Sequence, residues 1–222
     1  MARLQVALDL VDLERALRIA SKVAEVCDHA SLLLEAGTPL IKAHGMEAVR
    51  KLSSLFSDIP VVADMKTADA GDLEAELAIS SGAAYTTVLA FASDETVMAA
   101  VEAAHRLGGK VMADLMLVAN PIERARELAK LGVDAVCYHI PVDVQRRGRP
   151  NFGAVATAVE SLRGALRVEV AVAGGISAAI AGALAGAGAD ILVVGRAIYA
   201  APDPGAAAKE ILEAARSMGR RL

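Results

Sequence analysis

One pattern constrains the fold of this chain more than any other. A short apolar, often β-branched run is followed by a longer amphipathic stretch, and the alternation occurs eight times. The runs are "LQVAL" (4–8), "SLLLE" (31–35), "PVVAD" (60–64), "AYTTVLA" (84–90), "KVMAD" (110–114), "AVCYH" (135–139), "VEVAVA" (168–173) and "ILVVG" (191–195). Between them lie helical patterns such as "DLERALRIASKVAEV", "GMEAVRKLSSLF", "GDLEAELAISSG" and "PIERARELAKLG", the last carrying Ile122, Ala125, Leu128 and Ala129 on one stripe. Glycine ends several of these stretches, in "SSGAAY", "RLGGKV", "KLGVDA" and "GAGADI". Asp94 and Ser177 are the expected N-caps of the helices that follow them. Strands apolar on both faces imply a parallel sheet covered by helices. Eight such units in 222 residues fit an α/β (β/α)8 barrel better than an open doubly wound sheet. No linker or low-complexity segment interrupts them, so one domain is expected over residues 1–222.

A hydrophobic content of 55% and a mean hydropathy of +0.44 raise the question of a membrane. Residues 170–189, "VAVAGGISAAIAGALAGAGA", carry no charge and include a Gly182-xxx-Gly186 spacing. Most of the segment is Ala and Gly, which supply little insertion energy, and it divides at Gly174-Gly175 into a strand-like and a helix-like piece. Asp9, Asp12 and Glu14 interrupt any secretory pattern at the start. The expectation is a soluble, cytoplasmic protein with no membrane partner. A formal charge of −4 argues against a nucleic-acid partner. The one basic cluster, Arg146, Arg147 and Arg149 in "VQRRGRP", reads as a solvated loop. Cys27 and Cys137 have no metal-ligand spacing and read as buried free thiols.

In a barrel of this kind the active site occupies the carboxyl ends of the strands. The polar residues there are Asp9, Glu35, Asp64, Lys66, Asp69, Asp114 and His139. A single strand-end Asp is more often a helix cap than a catalyst. Seven ionisable groups converging on one mouth are not explained that way. Glu35 and Asp64 end adjacent strands and offer oxygens to one hard cation that retains several waters, Mg2+ in the first instance and Mn2+ as the alternative. Without a thiolate cluster, zinc is disfavoured. Asp64 and Asp69 would keep Lys66 ionised, as a fixed positive charge or a proton donor. A salt-bridge network that merely staples loops would carry a large desolvation penalty.

The last two strands end differently, in "VAGGIS" (172–177) and "VVGRAIY" (193–199). Gly174, Gly175 and Gly195 let backbone N–H groups approach an anion, helix N-termini add positive potential, and Arg196 can make a forked contact. Loops after strands seven and eight are the recurrent phosphate cradle of barrels, which points to a phosphorylated small-molecule substrate.

Asp64-Met65-Lys66-Thr67-Ala68-Asp69 resembles the Asp-x-Lys-x-x-Asp signature of the orotidine-phosphate decarboxylase superfamily, and the similarity runs from "LQVALDL" (4–10) to "VVGRAIY". Orotidine decarboxylases carry a Lys-x-Gly pattern at the end of the second strand. Here that position holds Glu35, as in the metal-dependent branch of hexulose-phosphate synthases and keto-gulonate-phosphate decarboxylases. Asp114 resembles the synthases, where the gulonate enzymes have Glu, and His139-Ile140-Pro141-Val142 lacks the Arg of their His-x-x-Arg. Of the synthases' His-Thr-Gly-Tyr-Asp, "HIPVD" keeps His139 and Asp143, which leaves the preference between the two reactions open.

The resemblance implies an Mg2+-dependent aldol reaction of ribulose 5-phosphate with formaldehyde, with the cation on Glu35 and Asp64 chelating the ketose. In that scheme His139 removes the C1 proton to give a metal-stabilised 1,2-enediolate. Lys66 steadies oxygen charge, while Asp9, Asp69 and Asp114 orient hydroxyls or Lys66. Gly174, Gly175, Gly195 and Arg196 hold the phosphate. The resemblance also implies a homodimer in which Asp69 reaches the partner's site. The alternatives are decarboxylation of 3-keto-L-gulonate 6-phosphate and a non-catalytic phosphosugar-binding barrel.

Overall fold

The computed structural model describes residues 1–148 and 150–218. Eight parallel strands close into a barrel in sequence order: β1 (Arg3–Leu8), β2 (Leu32–Ala36), β3 (Val61–Thr67), β4 (Tyr85–Leu89), β5 (Lys110–Asp114), β6 (Ala135–His139), β7 (Glu169–Ala173) and β8 (Ile191–Val194), with β8 pairing back to β1. The expected (β/α)8 barrel is borne out. The helices are α1 (Leu13–Ala24), α2 (Thr38–His44), α3 (Glu47–Leu55), α4 (Gly71–Ser80), α5 (Asp94–Arg106), α6 (Pro121–Lys130), α7 (Val142–Arg147), α8 (Phe152–Ala165), α9 (Ala178–Gly186), α10 (Arg196–Tyr199) and α11 (Pro204–Met218). A short 3-10 turn, His29–Ser31, precedes β2.

Alternation along the strands sorts the side chains into two layers. One set, including Leu33, Val62, Tyr85, Met112, Cys137, Ala171, Ile191 and Val193, fills the barrel interior. The other, including Leu4, Val6, Leu34, Val61, Val111, Val136 and Val172, meets the helices. Helix α1 shows the local logic. Asp12 caps it by accepting the Arg15 N–H at 2.9 Å, and Ala16, Ile19, Ala20 and Val23 form its buried stripe. Burying a side chain the size of Ile19 or Val23 contributes about 1.5 to 3 kcal/mol. At the amino end of the barrel a polar floor closes the interior: Arg3 pairs with Glu169 at 2.6 Å, and the Tyr85 hydroxyl donates to Glu169 at 2.8 Å.

Several local expectations change. The cap of α5 is Ser93, whose hydroxyl accepts the Thr96 N–H at 3.1 Å, so Asp94 is instead the first helical residue. Ser177 occupies the N-cap position of α9 without a side-chain cap bond. Arg146 and Arg147 lie on α7 rather than in a loop, and Arg146 pairs with Asp143 one turn back at 3.0 Å. Arg149 lies outside the described residues. Cys137 is buried as expected, whereas Cys27 is only half-buried. Residues 170–189 divide as expected, β7 ending at Ala173 and α9 starting at Ala178. Among the described residues no helix is long and apolar enough to cross a membrane.

Candidate active site

Strand β3 runs three residues past Asp64, to Thr67, and its pairing with β4 shifts register between Ala63 and Thr67. The shift comes with a left-handed backbone at Lys66, φ 48°. A non-glycine residue in that region is strained and must be held by its surroundings. The holding group is Thr87 on β4. Its hydroxyl accepts the Lys66 backbone N–H at 2.9 Å and donates to Asp64 Oδ1 at 2.9 Å. A backbone N–H can only donate and a carboxylate can only accept, so the direction of both bonds is fixed. One buried hydroxyl thus sets the acid and the base of the signature against each other.

From that turn Lys66 reaches inward. Its Nζ lies 2.6 Å from Asp64 Oδ2 and 3.6 Å from Asp114 Oδ2. Burial lowers the affinity of the amine for its proton, but Asp64 and Asp114 outweigh it and hold the ammonium well above the usual lysine range. Asp114, at the end of β5, then receives His139 from the end of β6, with Nδ1 2.8 Å from Oδ2. The Met116 N–H holds the other Asp114 oxygen at 3.0 Å. Burial pushes the Asp114 carboxyl up, yet the His139 hydrogen bond and the nearby positive charges leave it below the ordinary value. Because an ionised Asp114 can only accept, His139 carries its proton on Nδ1 and presents Nε2 as the basic nitrogen.

On the other side of Lys66 lies a carboxylate cluster. Asp9, Glu35 and Asp64 each bring one oxygen to within 4.8 Å of the others. Glu35 is buried, and Gln5 donates to its Oε2 at 2.7 Å. Burial, then Asp64 and Asp9, push the Glu35 carboxyl well above its ordinary value. Asp9 is raised as well, by burial and by Asp64, against the lowering pull of Lys66 and His139. Three carboxylates that crowd one another in this way favour a cation among them, and the all-oxygen set suits Mg2+ or Mn2+. Gly37 leaves Asp9 its place, since a Cβ there would press on Asp9 Oδ1 and stand 3.0 Å from the Leu8 carbonyl oxygen. Asp64 is further fixed by Thr38, whose hydroxyl donates to Oδ2 at 2.6 Å.

At the far rim, Gly174 and Gly175 follow β7 with φ of 106° and 73°. A Cβ on Gly174 would stand 2.5 Å from the Ile140 carbonyl oxygen. Only glycine fits that turn. Gln145 on α7 lies against the same two glycines and donates to the Ile140 carbonyl at 2.7 Å. Gly195 follows β8 with Asp9 Oδ2 and Tyr199 beside it, and Arg196, exposed, opens α10.

The structure therefore brings Asp9, Glu35, Asp64, Lys66, Asp114 and His139 to one mouth, with the glycine turns and Arg196 on its rim. It does not bring Asp69 there within the chain. Asp69 is exposed and its Oδ1 accepts the N–H of Ala70, which has φ 51°. Sequence reasoning missed Gln5, Thr38 and Thr87. The signal available for Gln5 was a lone polar residue inside the apolar run "LQVAL"; nothing marked the threonines out from ordinary strand and cap residues. Asp9, expected as an orienting group, brings one oxygen within 4.8 Å of oxygens of Glu35 and Asp64.

The closed parallel barrel thus carries an acid–lysine–acid–histidine array at its carboxyl end. Residues 2–211 match the Orotidine 5'-phosphate decarboxylase / HUMPS family, and the chain belongs to it. A 3-hexulose-6-phosphate synthase from Mycobacterium gastri is 42% identical over 209 residues, covering 94% of this chain and 97% of the relative. A crystal structure of 3-hexulose-6-phosphate synthase superposes with a TM-score of 0.89 at 42% identity, over 96% of this chain and 99% of that one. The 3-keto-L-gulonate-6-phosphate decarboxylase of Vibrio cholerae gives a TM-score of 0.86 at 27% identity, over 98% of each chain. The resemblance drawn from the signature is borne out.

Proposed function

We propose that this chain condenses formaldehyde with D-ribulose 5-phosphate to give 3-hexulose 6-phosphate, and catalyses the reverse cleavage. The observation that carries the reading is the placement of a basic histidine nitrogen and a lysine ammonium on either side of Asp114, beside three crowded carboxylates. Glu35 and Asp64, with Asp9, would hold the divalent cation, which when bound supplies Lewis-acid polarisation of the ketose oxygens. His139 Nε2 takes the proton from C1 of ribulose 5-phosphate, and Asp114 steadies the imidazolium that forms. Through a 1,2-enediolate, the electron pair released at C1 forms the bond to the formaldehyde carbon; the formaldehyde C=O π pair moves to its oxygen, which takes the proton back from His139. Lys66 faces the oxygens on which negative charge grows and stabilises them. Gly174, Gly175, Gly195 and Arg196 hold the phosphate, so that binding energy far from C1 positions the reacting end.

A second reading is decarboxylation of 3-keto-L-gulonate 6-phosphate, which the likeness to the Vibrio enzyme favours. Against it, the position where that class carries its Arg after β6 is Val142, and the first cation of α7, Arg146, is exposed and paired with Asp143. Exposed Asp69 and the exposed apolar side chains Leu73 and Leu77 on α4, Phe91 after β4 and Met98 on α5 support a homodimer that shares its sites.

The test of the first step is exchange of the C1 proton of ribulose 5-phosphate in deuterated water with Mg2+ and no formaldehyde. Exchange that chelator and His139→Ala both abolish is expected. Exchange indifferent to both would reject this role for the site.

A further inference from the structure

Behind the carboxylates lies a polar side chain that this mechanism does not use. Alternation along β1 puts Arg3, Gln5, Ala7 and Asp9 on the inward face, with Arg3 in the floor and Asp9 at the mouth. Gln5 sits between them, 2% exposed. Its Nε2 donates to Glu35 Oε2 at 2.7 Å, while its Oε1 meets no donor among the described residues. A buried amide oxygen without a donor is destabilising, so the carboxamide is not placed for its own satisfaction. Turned over, it would set acceptor against acceptor once Glu35 is ionised, as a bound cation requires. The orientation seen serves Glu35 alone.

We propose that Gln5 is a positioning residue for the divalent cation: from below, it fixes the Glu35 carboxylate so that it faces Asp9 and Asp64 before the ion arrives. The inference rests on the metal reading given under Proposed function. Gln5 lies below Glu35, away from the mouth, and acts only through it. Outer partners of this kind typically set metal affinity by about 10- to 100-fold.

The test is titration of the full chain with Mn2+, without substrate, followed by electron paramagnetic resonance. In Gln5→Met, similar in shape but without a donor, the Mn2+ dissociation constant should rise about 10- to 100-fold, with kcat recovering at saturating cation. Equal Mn2+ affinity in a folded Gln5→Met would overturn the proposal. If that variant does not fold, the wild-type side-chain amide decides. The chain has two glutamines, Gln5 and Gln145, so with glutamine-selective side-chain 15N labelling the Gln145→Asn variant leaves the Gln5 signal alone. That signal should move on addition of Mg2+, and a Gln5 amide unmoved at saturating Mg2+ would also overturn it. A wild-type chain that binds no Mn2+ at all would remove the metal reading itself, an outcome visible before any variant is made.

Discussion

His139 Nδ1 lies 2.8 Å from Asp114 Oδ2, and the same oxygen is 3.6 Å from Lys66 Nζ. A single buried carboxylate thereby orients the base and the cation that serve opposite ends of the proposed reaction. His139→Ala should lower kcat by about 10²- to 10⁴-fold with the fold intact. Asp114 also has a stability signature. Its carboxyl is held below the ordinary value, so the folded state releases this proton more readily than the unfolded one. Its contribution is full above the ordinary carboxylate range and is lost as pH falls through the depressed folded value. The stability gap between wild type and Asp114→Asn, measured by urea unfolding, should therefore narrow on acidification.

Thr87 bridges Asp64 and the strained Lys66 backbone through one hydroxyl. Thr87→Val keeps the shape and removes both bonds. It should cost about 1 to 3 kcal/mol of stability and reduce kcat, while Thr87→Ser restores most of both. Equal turnover in the Val and Ser variants would show that the hydroxyl does not position the signature.

The carboxylate cluster makes the metal-free protein sensitive to pH in the opposite sense. Glu35 and Asp9 are raised, so the folded state holds their protons more tightly than the unfolded state does. Stability from this source falls as pH rises from the ordinary carboxylate range through the raised values. A cation relieves the crowding and displaces the protons. The rise in Tm produced by Mg2+ should be larger at about pH 8 than at about pH 5, and Glu35→Gln should abolish most of it.

Gly174 has φ 106° and no room for a Cβ beside the Ile140 carbonyl. Gly174→Ala must displace the turn, so KM for ribulose 5-phosphate should rise by at least about tenfold, an interaction loss of about 1.4 kcal/mol. Turnover of unphosphorylated ribulose should change little. A matched loss for both substrates would place the turn outside the phosphate site.

Asp69 stands outside its own chain's mouth. If it completes a partner's site, Lys66→Ala and Asp69→Ala homodimers are each inactive, and mixing them under subunit exchange regenerates activity at the mixed interface. Sedimentation of the wild type reports the dimer independently. No recovery on mixing would separate Asp69 from a shared site.

The barrel was legible because hydrophobic alternation and helix-ending glycines are local signals, and the β5 and β6 runs were read to the residue. Lys66 was legible as a charge but not as a left-handed residue, since the register shift of β3 depends on β4. Asp9 could not be assigned to the carboxylate cluster from β1 alone. Its approach requires Gly37, which follows β2, and the closing of β1 against both neighbours. The threonines escaped notice because a strand threonine carries no mark of what it will face.

Carbon–carbon bond formation is the step that sets the proposed reaction apart from decarboxylation. The most direct measurement is product identification after incubating the chain with ribulose 5-phosphate, formaldehyde and Mg2+, beside parallel incubations with chelator and with 3-keto-L-gulonate 6-phosphate. The expected result is 3-hexulose 6-phosphate formed only with the cation and with Lys66 intact. Carbon dioxide release from the gulonate without any condensation product would contradict it.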